Sequence, residues 1–76
     1  MLLADFIKEL KHKSLWLDII DMKPEENNAV FAGTMGELIH DVTYVNTYNK
    51  YGIVTIKANY SYDMKSMLAI YIYEVV

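Results

Sequence analysis

Apolar positions recur along this chain with two different periods. Over residues 2–13, Leu2, Leu3, Phe6, Ile7 and Leu10 share one stripe at helical spacing, with Asp5 and Glu9 early and Lys8, Lys11, His12 and Lys13 late. That order complements a helix dipole and predicts an amphipathic first helix whose lysine cluster is a solvated end. From 15 to 22 the period falls to two. Leu15, Leu17 and Ile19 take one face of a strand, and Trp16, Asp18, Ile20 and Met22 take the other. Residues 23–28 (KPEENN) read as a turn, and 29–33 (AVFAG) as a second strand antiparallel to the first. Thr34 and Glu37 have capping-box spacing, which opens a short helix from Met35 to about Asp41. Residues 42–50 mix strand formers with a weak helical spacing and are expected to be irregular. Residues 51–60 alternate again, with Val54, Ile56, Ala58 and Tyr60 opposite Ile53, Thr55, Lys57 and Asn59. Residues 61–66 connect to a last strand over 67–75.

The element order α-β-β-α-β-β predicts a single α+β domain over residues 1–76. Its two hairpins would join as a four-stranded antiparallel sheet, with the N-terminal helix on one face and a second short helix beside it. Leu15, Leu17, Ile19, Phe31, Val54, Ile56, Leu68, Ile70 and Ile72 are assigned to the covered face. The opposite face then carries Trp16, Ile20, Val30, Ile53, Tyr71, Tyr73 and Val75. Both faces are apolar, and one long helix shields only one of them. Three solutions satisfy the second face: the short helix and residues 42–50 wrap round to it, its tyrosine tips stay wet, or another protein covers it. The final strand is also a candidate edge able to pair with a copy of itself.

Composition narrows the function classes. At 76 residues the chain buries only about 60% of the surface its unfolded form exposes, so packing or association has to be good. The absence of cysteine removes disulfides and thiolate zinc sites, which suits a cytoplasmic protein. No apolar run reaches the ~18 residues of a membrane span, and Asp5, Lys8 and Glu9 interrupt the start, so no signal peptide is expected. The net charge is −3 and all seven basic residues are lysine, a balance that argues against a nucleic-acid surface. Lys8, Lys11 and Lys13 with exposed tyrosines are the residues such a surface would have to use.

Candidate chemistry is thin. Glu37 and His40 lie one helical turn apart, but two residues on a helix end are more often solvated than metal-bound. Asp18 and Asp21 fall on opposite strand faces and make no catalytic pair. No phosphate loop, dinucleotide fingerprint or nucleophile elbow occurs, and the serines have no evident base. The sequence therefore predicts no catalytic residue, no metal and no cofactor.

The corner Asp21…Val30-Phe31-x-Gly33-Thr34-x-Gly36-Glu37-Leu38, the strand Ile53-x-x-Ile56-x-x-x-Tyr60-Ser61 and the terminal Leu68-x-Ile70-x-Ile72 resemble small phage, prophage and mobile-element proteins of Firmicutes. Some proteins of this general kind inhibit host defence by binding, anti-CRISPR proteins among them. The resemblance implies a non-enzymatic inhibitor or adaptor acting on a host protein, with no active site to carry over. Trp16, Asp18, Ile20, Tyr71 and Tyr73 are the candidate partner-binding residues, with Tyr44, Tyr48 and Tyr51 at the rim. The alternative is a self-associating structural protein that forms a homodimer.

Overall fold

The computed structural model describes residues 1–23, 26–60 and 66–75. The centre of the expected 23–28 turn and the 61–65 part of the connection to the last strand lie outside the described residues, as does Ser61 of the quoted motif. The elements are α1 (Leu3–Glu9), β1 (Trp16–Met22), β2 (Asn27–Thr34), α2 (Met35–Leu38), α3 (Val42–Asn46), a single 3-10 turn (Tyr48–Lys50), β3 (Gly52–Tyr60) and β4 (Ser66–Tyr73). The class is α+β, with a four-stranded sheet of order β2-β1-β4-β3.

The sheet is mixed, which corrects the expected all-antiparallel arrangement. The hairpins β1–β2 and β3–β4 are antiparallel, but the two inner strands β1 and β4 run parallel. The cause is the connection between the hairpins. Residues 35–51 carry the chain from the β2 edge to the β3 edge and let it re-enter the sheet in the direction of β2, so the second hairpin joins in the same sense as the first. It also follows that β4 is an inner strand and not the pairing edge expected of it.

The helices are shorter than their apolar stripes suggest, and a reason is visible at each end. α1 stops at Leu10, which adopts extended backbone. The chain beyond it lends the Lys13 and Leu15 carbonyls to the free amides of Gly36 and Met35, both at 2.9 Å. A helix continued to residue 13 would leave those amides unmet. At α2 the capping box forms as the spacing predicts: the Glu37 amide donates to Thr34 Oγ1, and the Thr34 amide donates to Glu37 Oε1. Asp41 then caps α3, its Oδ1 accepting from the Tyr44 amide at 2.9 Å. Residues 42–50, expected to be irregular, are therefore α3 and the 3-10 turn.

One core lies between the helices and one face of the sheet. It comprises Leu3 and Ile7 from α1, Leu17 and Ile19 from β1, Met35 and Leu38 from α2, Tyr44 from α3, and Ile70 and Ile72 from β4. Two β-bulges change the expected assignments. Between Ile19 and Ile20 the β2 register slips at Val30, so Val30 and Phe31 both pack against the core. On β3 the slip falls at Val54. It turns Ile53 inward opposite Ile72, leaves Val54 exposed, and keeps Ile56 opposite Ile70 at the less covered margin. Val30 and Ile53 thus belong to the covered side, and Val54 leaves it.

Candidate site: the open face of the sheet

The strand period that sends Leu17, Ile19, Ile70 and Ile72 into the core sends their neighbours the other way. Register sorts the open face into rows across the strands. Trp16 lies between Thr34 and Met67; Asp18 lies between Ala32 and Ala69, with Lys57 beyond; Ile20 lies between Ala29 and Tyr71, with Thr55 beyond. At the far end Met22 pairs with Asn27, and Tyr73 with Gly52. Trp16 and Tyr73 are 42% and 45% exposed, Met22 is exposed as well, and Ile20, Met67 and Tyr71 are half-buried. All core residues of α1, α2 and α3 pack on the opposite side, so among the described residues no helix wraps round to this face.

Polar contacts fix the larger side chains. The Trp16 indole Nε1 donates to Asp18 Oδ1 at 3.3 Å, which draws the ring along β1 toward the neighbouring row. Lys57 Nζ stands 5.3 Å from the centre of the Tyr71 ring, within cation–π range. Tyr73 lies flat across Gly52, where a Cβ would come within 2.7 Å of ring carbons. A side chain at position 52 would have to displace the ring from the space it occupies. The surface is therefore a held platform of aromatic, Met and Ile side chains with one acid and one base. By register Asp18 and Lys57 are its only charged positions among the described residues.

The structure brings Trp16, Asp18, Ile20, Tyr71 and Tyr73 onto this one face. It does not bring Tyr44, Tyr48 and Tyr51 to its rim. Tyr44 is 8% exposed in the core, and Tyr48 and Tyr51 pack against that core on the helix side. Tyr48 and Tyr51 meet edge to face, with ring centres 4.9 Å apart. Val45 and Tyr44 are adjacent strand formers that could pass for a wet segment, and only recognition of Asp41 as a helix cap would have turned Tyr44 inward. Two contributors to the open face, Met67 and Lys57, lie outside the candidate set read from the sequence; alternation along β3 and β4 was the signal that places them there.

Burial raises the Tyr44 phenol above its ordinary range. Tyr51 is raised by burial first, then by the negative charges of Glu74 and Asp21 and by Tyr48. Both phenols are held more firmly protonated, the opposite of what an activated base or nucleophile needs. The Glu37 carboxylate is occupied by its capping box, and no group of three His, Cys, Asp or Glu able to hold a metal occurs among the described residues. A pocket at the carboxyl ends of β1 and β4, lined by Asp21, Met22, Lys23, Tyr73 and Glu74, is open and mixed in charge. Ile39 after α2 and Val42 and Val45 of α3 are exposed apolar side chains as well. Among the described residues no helix is long and apolar enough to cross a membrane. No family model matches the chain, and no curated protein or solved structure matches it either.

Proposed function

We propose that this protein is a non-enzymatic, cytoplasmic protein-binding module and that the open face of its sheet is the contact surface. One observation carries the reading. Two inner strands present Trp16, Ile20, Met22, Tyr71 and Tyr73 side by side on the side away from every described helix. Tryptophan, tyrosine and methionine are the types enriched in protein contacts, and an apolar patch of this continuity on a small domain marks an interaction site. The resemblance to mobile-element proteins adds that a partner is a host protein and that binding inhibits or redirects it. Self-association through the same face is the second reading, supported by the balance of charge across it.

The test is site-specific photo-crosslinking in the cells that make the protein, with the photoreactive side chain placed at Trp16 or Tyr73. Position Val42, on the helix side, is the comparison. The expected result is a protein adduct, of a foreign chain or of a second copy, from Trp16 and Tyr73 and none from Val42. Adducts only from Val42, adducts removed by nuclease, or no protein adduct at all would overturn the reading.

A further inference from the structure

We infer that the occupant specified by the open face is a second copy of this chain, stacked face to face about a two-fold axis that runs along β4. This rests on the reading that the face binds protein and names the partner. Asp18, Ala69 and Lys57 stand in one row across β1, β4 and β3, with the alanine midway between the two charges. Rotation about an axis along β4 lays β1 of one copy over β3 of the other. Asp18 then faces Lys57 of the second copy, and the same contact repeats on the far side of the axis. Ala69 meets its own equivalent at the centre, where its small side chain allows the sheets the ~10 Å approach of a β-sandwich. Tyr71 and Met67 flank it on the axis and pack against their equivalents.

Charge selects this partner over others. A face with one acid and one base is neutral on a chain of net charge −3, and it complements itself. A nucleic-acid strand would call for an excess of cations. Strand addition is hindered over part of each edge. The start of β3 is occupied by the chain's own N-terminus, through an isolated Leu2–Gly52 bridge, a Leu3 N–H to Tyr51 O bond of 2.7 Å and an Ile53 N–H to Met1 O bond of 3.0 Å. Beyond that point β3 is bulged at Val54, and the other edge, β2, is bulged at Val30. The open face carries the large apolar side chains that the edges lack. With the axis along β4 the strand β2 overhangs, so three strands at about 4.8 Å and seven residues at about 3.3 Å give an overlap of roughly 330 Å² in plan. That is below the ~800 Å² per partner of a standard complex, so the dimer is a weak one, to be sought between roughly 10 μM and 1 mM.

Sedimentation equilibrium across that range tests the arrangement with Asp18→Lys, Lys57→Asp and the double variant, each checked for native circular dichroism. Either single reversal sets like charges against each other and is expected to weaken dimerisation at least about tenfold. The double variant restores opposite signs and is expected to return to within about threefold of the parent. Asp18→Asn keeps an acceptor for the Trp16 indole and is expected to fall between the parent and the single reversals. A parent that stays monomeric at about 1 mM, single reversals without effect, or a folded double variant weaker than both singles would each overturn the inference. A monomeric parent that still crosslinks a foreign protein through Tyr73 defeats the second copy alone. A parent with no protein adduct and no dimer defeats the binding reading as well.

Discussion

The two sides of this sheet are built from alternate residues of the same strands, yet they are made of different materials. The side under the helices is branched aliphatic at its centre: Leu17, Ile19, Ile70 and Ile72 have essentially no exposure. The other side is Trp16, Ile20, Met22, Met67, Tyr71 and Tyr73, and much of it stays wet. Aliphatic side chains have rigid shapes and no polar atoms, which suits a permanently dry core. An indole N–H or a phenol O–H keeps a polar tip for water while the ring offers area to a partner. Methionine adapts its shape to different contacts. The open side therefore combines apolar area with polar tips that water reaches, and it differs in kind from the aliphatic core under the helices.

The sharpest way to break this comparison is to truncate neighbours that point to opposite sides. Leu17→Ala removes a side chain with no exposure from the packed core and is expected to cost about 2–5 kcal/mol. Trp16→Ala, one residue earlier, removes a larger side chain from a half-wet position and is expected to cost about 1 kcal/mol. Urea denaturation followed by far-ultraviolet circular dichroism measures both at protein concentrations too low for association. Equal costs would mean that the open face is as integral to the fold as the core, and that the contrast between the two sides is false.

A smaller effect sharpens the description of the open side. Gly52→Ala places a methyl group where the Tyr73 ring lies, with 2.7 Å to its nearest carbons. The ring is at the surface and can swing away, so the expected cost is about 1–2 kcal/mol and not the full penalty of a core clash. Tyr73→Ala added to Gly52→Ala removes the obstruction and is expected to recover most of the loss. The double-mutant cycle reads the coupling directly. Additive costs would show that Tyr73 does not rest on Gly52 in solution.

The origin of the contrast explains how much of it was legible in the sequence. The alternation of Trp16 to Met22 and of Met67 to Tyr73 sorts both inner strands correctly, because a period of two leaves no freedom in an unbroken strand. The capping box at Thr34 and Glu37 was legible for a similar reason: it is a local device of fixed spacing. What the sequence hid were long-range choices. The sense in which the hairpins join depends on where residues 35–51 cross, and the bulges at Val30 and Val54 depend on which partner strand lies alongside. Each bulge shifts the period by one residue, which is why Val30 and Ile53 land on the core side. The misplaced tyrosines share a local cause. Without the Asp41 cap, nothing in VTYVNTYNKY orders Tyr44, Tyr48 and Tyr51 on the side of the helices.

The subtlest prediction separates tyrosines of the covered side by their protons. Burial raises the Tyr44 phenol above its ordinary pKa, so between the unfolded value near 10 and the raised folded value the native protein holds a proton that the unfolded chain has lost. By linkage, the contribution of Tyr44 to stability is fully present below about pH 10 and is lost as pH rises through the folded value. Tyr51, raised by burial and by the charges of Glu74 and Asp21, adds to the same alkaline slope. Tyr44→Phe keeps the ring in the core and removes the titrating group, so its stability should fall less steeply than the parent's above pH 10 while the two stay nearly parallel below it. Urea midpoints measured from pH 8 to pH 11 provide the comparison. Parallel curves throughout would place the Tyr44 hydroxyl in contact with water and out of the core.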